Sequence, residues 1–197
     1  MNPDRPAVTA PCEDGQNEDG DRIAALTAEV EALKAEVERL RLLADHDTLT
    51  PVLNRRAFVR ELMRTIAYCR RYGATAAVLY LDLDGFKQVN DRFGHPAGDA
   101  ALVRMAELLV AHVRESDVVA RLGGDEFAVL LLQADAEAAA AKAQSLAEAI
   151  AAEDFSLDGR GVRLGGSFGV RAFDGHTDPE AWLAEADAAM FVRKRRR

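Results

Sequence analysis

Apolar residues step by three and four through residues 23–40, and polar residues fill the positions between them. This heptad spacing predicts a coiled coil, and β-branched residues alternating with leucine at the two apolar positions favour a parallel two-stranded one. The predicted dimerisation residues are Ile23, Leu26, Val30, Leu33, Val37 and Leu40. In that register two glutamates would meet two basic side chains of a second chain, and these are Glu29, Glu36, Lys34 and Arg41. The alternative is a single amphipathic helix lying on its own domain.

Beyond the heptads, helical and strand-like segments alternate along the chain. Helical spacing or propensity is found in residues 55–71, 100–113, 134–152 and 179–193. Runs rich in branched and aromatic residues predict strands at residues 76–83, 118–122, 127–132 and 162–173. The last run is either two short strands or one strand bent at Gly165 and Gly166. This alternation, with a hairpin in its interior, predicts an α/β sheet layered by helices.

The same pattern divides the chain into three segments. Residues 1–20 are rich in proline, glycine and acidic side chains and lack hydrophobic periodicity, so we expect a disordered tail. Residues 21–45 form the coiled-coil dimerisation helix, and residues 46–197 form one globular domain. A turn forced by Pro51 separates the coil from the first helix of that domain.

Composition limits the partners and the compartment. The 197 residues carry a formal net charge of -8, which argues against general affinity for nucleic acid or for an anionic membrane surface. The two cysteines, Cys12 and Cys69, form no Cys-x-x-Cys pair, so zinc or redox chemistry has little support. The sequence contains neither a signal-peptide core nor a stretch approaching the roughly 20 apolar residues of a membrane span. We therefore expect a cytoplasmic protein with no nucleic-acid and no membrane partner.

Candidate chemistry is concentrated at the ends of two predicted strands. A turn of two glycines leads directly into Asp125 and Glu126, and Asp82 closes an earlier hydrophobic run shortly before Lys87. Carboxylates at two neighbouring strand ends can share hard cations. Because Mg²⁺ prefers one or two carboxylates together with phosphate oxygens, acidic strand ends beside a lysine suggest a nucleoside triphosphate site.

These motifs, in this order and spacing, resemble the GGDEF domain of bacterial diguanylate cyclases from about residue 45 onward. Gly-Gly-Asp-Glu-Phe at residues 123–127 is that family's signature. Further similar segments are residues 47–50 and 54–56, 82–91, 94–95 and 98–99, 167–170 and 186–194. Agreement at five ordered segments is far more specific than any one of them alone.

The resemblance implies a ferredoxin-like α+β sheet of the nucleotidyl cyclase and polymerase palm type. It also implies condensation of two GTP molecules into cyclic di-GMP, with release of two pyrophosphates, across a homodimer in which each subunit holds one GTP. Two other functions remain open. One is a catalytically silent GGDEF domain that senses GTP or cyclic di-GMP, and the other is a coiled-coil scaffold with an inert globular head.

Individual roles are carried over from the family motif by position. The implied metal ligands are Asp82, Asp125, Glu126 and the backbone carbonyl of Leu83, for two Mg²⁺ ions with Mn²⁺ as a substitute. Glu126 would alternate to the other side of a regular strand from Asp125, as a second ligand or a hydrogen-bond partner. The implied catalytic residues are Asp125, Glu126 and Lys87. The implied substrate-binding residues are Phe86, Lys87, Asn90, Asp99, Gly123, Gly124 and Lys194.

Several of these residues also have simpler explanations. Carboxylates at strand ends can be merely solvated, and two glycines can simply form a hairpin turn. Asn90 could be a turn residue, and Asp99 could be the N-cap of a helix. In the resemblance, Asn90 and Asp99 read the guanine base.

Arg114 and Asp117 match the Arg-x-x-Asp product-inhibition site of the family. Arginine is suited to this role because its planar fork can bind phosphate or guanine through two hydrogen bonds. The alternative is an ordinary ion pair at a helix end, worth roughly 0.2 to 0.5 kcal/mol.

Overall fold

The computed structural model describes residues 14–153, 155–157 and 160–195. It contains two compact units, Met1–Ala44 and Asp45–Arg197. Residues 1–13 of the predicted tail lie outside the described residues, as do residues 196 and 197.

The first unit is built from helix α1, Asp14–Asp45. The helix begins inside the segment that the sequence predicted to be disordered, so that prediction was wrong for residues 14–20. Extending an existing helix adds one hydrogen bond per residue, whereas nucleation carries most of the cost, so even a polar stretch can join a long helix. All six predicted dimerisation side chains are between 45% and 65% exposed. Lys34 pairs with Glu31, and Arg39 pairs with Glu36, within the same helix. Pairing with a second chain therefore stays a prediction.

The second unit is an α/β fold around a five-stranded sheet. Its elements are β1 (Leu53–Asn54), α2 (Arg55–Tyr72), β2 (Ala76–Asp84), α3 (Phe86–Phe93), α4 (His95–Ala111), β3 (Val118–Gly123), β4 (Glu126–Leu132), α5 (Ala136–Ala152), β5 (Phe155–Leu157), β6 (Arg160–Val162), β7 (Gly165–Ala172) and α6 (Pro179–Lys194). The strand order is β1-β3-β4-β2-β7, and β5 pairs with β6 separately. Only the β1–β3 pairing is parallel among those of the main sheet. The predicted α/β sheet layered by helices is confirmed.

Hydrophobic side chains fill both faces of this sheet. In β2, Leu79 and Leu81 point to the face covered by α4 and α5, whereas Val78 and Tyr80 point to the face covered by α2 and α6. Both faces are buried, which explains why this strand is an almost continuous apolar run with little alternation. The polar end of β2, at Asp82 and Asp84, is where the run opens to solvent.

Helix ends follow local sequence signals. The side chain of Asn54 caps α2 by accepting a hydrogen bond from the amide of Ala57, and the helix ends at Gly73 as predicted. Helix α4 begins at His95 and not at residue 100, because Pro96 is suited to a first helical turn. The helix ends at Ala111, so Val113 lies beyond it, although Val113 still packs partly buried against the core.

Two parts of the strand pattern differ from what the sequence predicted. The two-residue strand β1 was not predicted, because so short a segment carries no periodicity. Most of the run at residues 162–173 is the single strand β7, which begins at Gly165, and only Val162 belongs to β6. The structure therefore matches neither of the two possibilities left open by the sequence, which were two short strands within this run and one strand bent at Gly165 and Gly166.

Candidate functional site

Four carboxylates lie at one end of the central strands, and we call them the acidic edge: Asp82, Asp84, Asp125 and Glu126. Asp82 stands directly opposite Glu126 in the antiparallel β2–β4 pairing. Directly opposite residues project to the same face of a sheet, with Cβ atoms about 4.5 to 5.5 Å apart. The amide of Leu83 donates to the carbonyl of Asp125 at 3.2 Å, which fixes the end of the Gly-Gly turn against β2. The two acidic strand ends are thus brought together.

A buried tyrosine lies beside Glu126. Tyr80 is 5% exposed and lies two residues before Asp82 on the same face of β2. Burial raises the pKa of the Tyr80 hydroxyl, and the negative charge of the nearby Glu126 carboxylate raises it further. The hydroxyl therefore stays protonated beside Glu126. Glu126 is the first residue of β4 and is paired directly with Asp82, so the two side chains share a face of the sheet. Asp125 belongs to the turn before β4.

Asp84 and Lys194 complete this end of the sheet. The hydroxyl of Ser167 donates to the Asp84 carboxylate, with distances of 3.0 and 2.8 Å to its two oxygens. The ammonium of Lys194, in the last turn of α6, contacts Asp82 Oδ1 and lies 3.6 Å from Asp84 Oδ1. Burial lowers the pKa of Lys194, but the two carboxylates outweigh that effect and the net pKa is raised.

The glycine turn has a backbone conformation that demands glycine. Gly124 has φ of 49°, in the left-handed region, and Gly123 has φ of 154°. A Cβ added at either position would meet nothing within 4 Å, so conformation and not crowding within the protein explains these glycines. Both residues are exposed beside the acidic edge.

A partly buried arginine holds this turn. Arg121 donates from Nε and Nη2 to the carbonyl of Gly124 at 3.0 and 2.8 Å, and from Nη1 to Asp47 Oδ1 at 3.0 Å. The same Asp47 oxygen accepts hydrogen bonds from the amide and the hydroxyl of Thr50. Burial raises the pKa of Asp47, but these hydrogen bonds and the guanidinium charge outweigh it and leave the pKa lowered.

The predicted base-reading residues lie on α3 and α4. Asn90 lies within α3 and Asp99 within α4, so neither the turn nor the N-cap interpretation is correct. A Cβ at Gly98 would lie 2.0 Å from Asn90 Oδ1, so the Asn90 side chain rests directly against the α4 backbone next to Asp99. Phe86, at the start of α3, packs partly buried against the core near Gly98, and Lys87 beside it is exposed.

Arg114 and Asp117 lie at the other end of the sheet. Asp117 accepts hydrogen bonds from the amides of Arg114 and Leu132, at 3.0 and 3.1 Å. Leu132 ends β4, and Glu126 begins it, so the strand separates this pair from the acidic edge. Arg114 is exposed and borders a cavity of about 420 Å³ that is also bordered by Tyr68. The structure therefore gives Asp117 a backbone-capping role and places Arg114 at the border of this cavity.

The donor set at the acidic edge fits a hard divalent cation. It offers carboxylate and carbonyl oxygens, which Mg²⁺ prefers over nitrogen or sulfur. Within the described ranges, no three acidic, histidine or cysteine side chains converge as a metal group. Mg²⁺ is commonly held by one or two carboxylates plus phosphate oxygens and water.

Residues 44–197 match the family model described as the diguanylate cyclase GGDEF domain. The chain belongs to the GGDEF family. It is 39% identical over 182 residues to the diguanylate cyclase TpbB of Pseudomonas aeruginosa, covering 89% of this chain and 42% of that protein. It is 37% identical to the probable diguanylate cyclase DgcE of Escherichia coli, covering 80% of this chain and 14% of DgcE. The chain thus spans less than half the length of these curated relatives.

Solved GGDEF structures share the fold. The coiled coil and GGDEF domain of DgcB from Caulobacter crescentus, in complex with c-di-GMP, matches with a TM-score of 0.80 at 29% identity, covering 89% of this chain and 94% of that one. A sensory box/GGDEF family protein from Caulobacter crescentus matches with a TM-score of 0.73 at 38% identity, covering 78% of this chain and 99% of the other. In the part of this GGDEF protein that the structure describes, no helix is both long enough and apolar enough to cross a membrane.

Sequence reasoning missed several residues that shape the site. It gave no role to Asp84, although the spacing of Asp82 and Asp84 by two residues in a strand already placed them on one face. No comparable signal marked Tyr80, Ser167 or Arg121. Each of them acts on a residue that is distant in the sequence and comes near only in the folded chain.

Proposed function

We propose that this GGDEF protein is a diguanylate cyclase that condenses two GTP molecules into cyclic di-GMP. The observation that carries the proposal is the direct opposition of Asp82 and Glu126, with Asp125 tied to Leu83 beside an exposed glycine turn. TpbB, named as a diguanylate cyclase, and DgcB, solved with c-di-GMP, support it.

In the proposed reaction, the 3′-oxygen of one GTP attacks the α-phosphorus of the other. The new phosphodiester bond forms as the bond to pyrophosphate breaks, and the 3′-hydroxyl proton is lost. A second, identical step closes the ring, so two GTP yield one cyclic di-GMP and two pyrophosphates. Bound divalent ions would shield the phosphate charge and make the 3′-hydroxyl more acidic.

The acidic edge supplies the groups that would hold two Mg²⁺ ions, or Mn²⁺ in their place. Asp82, Asp125 and Glu126 contribute carboxylates, and Leu83 contributes its backbone carbonyl. The protonated Tyr80 hydroxyl lies close to the Glu126 carboxylate. We assign Asp125 and Glu126 the catalytic metal-binding role, because Asp125 lies on the turn that would contact the triphosphate and Glu126 follows it directly at the start of β4.

Phosphate binding falls to the groups beside that edge. The exposed turn at Gly123 and Gly124 lets a triphosphate approach the backbone closely. Phe86 and Lys87 begin α3, where free amide hydrogens and the ammonium of Lys87 can bind phosphate oxygens. Lys194 supplies a second ammonium from α6.

Guanine recognition is proposed for Asn90 and Asp99. The Asn90 amide can donate to base acceptors, and the Asp99 carboxylate can accept from the amino group and ring N–H of guanine. Adenine presents no matching donor pair. Gly98 holds the two residues together, because its lack of a side chain lets Asn90 lie against α4.

The two-fold symmetry of the product requires two half-sites that face each other, so we propose a homodimer formed through α1. The apolar seam of that helix is about half exposed in one protomer, and a parallel partner would bury it. Tethering through a short connection raises the effective concentration of the second GTP site to roughly the millimolar range.

Product inhibition is proposed at Arg114 and Asp117. The exposed residue Arg114 borders the cavity of about 420 Å³, and an arginine there can bind a guanine base or a phosphate. The position of this pair at the far end of β4 separates it from the acidic edge, so inhibition there would not compete directly with GTP.

Incubation with GTP and Mg²⁺, followed by chromatography of the products, tests the activity. We expect cyclic di-GMP and pyrophosphate, and at least a hundredfold loss of rate in Asp82→Asn and in Asp125→Asn. Asp174→Asn is the matched control, because Asp174 is exposed beyond the opposite end of β7. Undiminished synthesis in both edge variants, or binding of GTP without any product, would contradict the proposal, and the second result would favour a silent sensor.

Titration with cyclic di-GMP tests the inhibition site. Arg114→Ala should keep its initial rate and lose inhibition, whereas Arg64→Ala, which removes a neighbouring arginine of the same cavity, serves as the charge-matched comparison. An Arg114→Ala enzyme inhibited as strongly as the parent would eliminate the assignment.

A further inference from the structure

The acidic edge carries a cation supplied by the chain itself. Lys194 Nζ contacts Asp82 Oδ1 directly and lies 3.6 Å from Asp84 Oδ1. The side chain of Lys194 is 42% exposed, and those of Asp82 and Asp84 are 20% and 32% exposed, so the group sits at a boundary with solvent. Asp84 is in turn fixed by Ser167. The ammonium therefore lies on a preorganised pair of carboxylates.

This contact conflicts with the metal-binding role proposed for Asp82. Lys194 occupies one side of the Asp82 carboxylate, at Oδ1. A divalent ion on the same carboxylate would lie within a few ångströms of the ammonium, and the two cations would repel each other. Metal binding at Asp82 therefore favours displacement of the Lys194 ammonium.

A displaced lysine at this position requires a new anion. Its ammonium has three donors and no acceptor, and its four-carbon stem allows the head group to move while the helix stays in place. In this site, the triphosphate that accompanies the metal is the anion within reach. Lys194 lies in the last turn of α6. Its ammonium can therefore be displaced by a movement of the side chain alone.

We propose that Lys194 is an exchangeable counter-cation that suppresses binding of a free divalent ion at Asp82 and favours loading of metal together with nucleotide. The inference rests on the proposed function for the identity of the nucleotide, and it adds a binding order and a second role for Lys194. The lysine neutralises the carboxylates before loading and the triphosphate after it.

The proposal predicts effects of opposite sign in one variant. Lys194→Gln should bind Mn²⁺ alone about fivefold more tightly, which corresponds to the loss of a competing ion pair at a partly exposed site. The same variant should bind the Mn²⁺ complex of a GTP analogue about fivefold more weakly, because a phosphate contact is lost. General damage to the site would weaken both, so the crossing of signs distinguishes competition from misfolding.

Free Mn²⁺ gives an electron paramagnetic resonance signal that falls on binding, and this signal measures both affinities on the full chain without turnover. The nucleotide is a GTP analogue with a methylene bridge between the α- and β-phosphates. Arg193→Gln removes the same charge from the neighbouring exposed residue of α6 and should leave both isotherms unchanged. Lys194→Arg keeps the charge and should stay close to the parent. Asp82→Asn should remove the tightened Mn²⁺ binding when combined with Lys194→Gln.

Two results would overturn the proposal. One is Mn²⁺ binding in Lys194→Gln that superimposes on that of the parent and of Arg193→Gln. The other is tightening that survives in the Asp82→Asn double variant, since the competition would then lie elsewhere. Product formation from GTP takes no part in these titrations. A protein that makes no cyclic di-GMP would refute the proposed function, whereas the Mn²⁺ isotherms alone decide the role of Lys194.

Discussion

Replacement of Arg121 by glutamine should disturb the backbone of the Gly-Gly turn while leaving every carboxylate of the acidic edge in the sequence. Arg121 is 14% exposed, and its guanidinium donates two hydrogen bonds to the Gly124 carbonyl and one to Asp47. Gly124 immediately precedes Asp125, so this fork fixes the backbone from which the proposed metal ligand projects. Glutamine is shorter and uncharged and cannot span the two acceptors.

The cost in stability can be estimated from these contacts. Hydrogen bonds that involve a charged group contribute roughly 1.5 to 3 kcal/mol, but Asp47 keeps its hydrogen bonds from Thr50 and is not left unpaired. We therefore expect Arg121→Gln to lower the free energy of unfolding by about 2 to 3 kcal/mol. For a chain of this length that corresponds to a fall in Tm of about 4 to 12 °C.

The loss should depend on pH in a defined direction. The pKa of Asp47 is lowered in the folded protein, so its stabilisation is complete above the ordinary value of about 3.9 and is lost as pH falls through the lower folded pKa. The stability difference between parent and variant should therefore be full at neutral pH and shrink below about pH 4. Denaturant unfolding at a series of pH values measures this difference.

The activity of the same variant reports the geometry of the turn. Because small displacements of catalytic groups are costly, we expect the initial rate of cyclic di-GMP synthesis to fall about tenfold or more at saturating GTP. Arg171→Gln is the control, since it breaks an exposed pair with Glu185 and should change stability by less than about 0.5 kcal/mol. Parent-like stability and rate in Arg121→Gln would refute the idea that this arginine holds the turn.

Three further substitutions test other parts of the structure. Gly98→Ala places a Cβ within 2.0 Å of Asn90 Oδ1 and should raise the KM for GTP about tenfold, with no further increase in an Asn90→Ala background. Trp182→Ala removes a fully buried indole and should lower the free energy of unfolding by about 3 to 5 kcal/mol, while Trp182→Phe should cost less. Lysine at both Val30 and Val37 should give monomers in analytical ultracentrifugation that bind GTP and barely turn over; full activity of such monomers at low concentration would eliminate the dimer requirement.

The sequence predicted the main helices and strands because continuous apolar runs indicated strands that are buried on both faces of the sheet. The helix at residues 55–71 and the strand at residues 76–83 were located within a residue or two, because Gly73 and the apolar pattern indicated the same boundaries. The two-residue strand β1 and the early start of α4 at His95 were missed. In both cases a local feature too short for periodicity, such as Pro96 or a parallel pairing with β3, decided the outcome.

The acidic edge was predictable as a set of residue types and not as an arrangement. Two carboxylate-rich strand ends were evident, but the opposition of Asp82 and Glu126 depends on the register between β2 and β4. Lys194 could be named from the family motif as a phosphate ligand. Its contact with Asp82 joins residues 112 positions apart, and no pattern along the chain reports a pairing at that distance.

The opposed carboxylates show how this sheet end combines folding with ligand binding. Like charges directly across two strands destabilise a sheet, so Asp82 and Glu126 oppose folding unless cations accompany them. The chain supplies one cation through Lys194 on Asp82, and the protonated Tyr80 hydroxyl lies beside Glu126. Both supports are weaker than a divalent ion, because one is partly exposed and the other is neutral. Under the proposed function, the carboxylates are therefore stabilised enough for folding and would gain further from a metal–triphosphate complex.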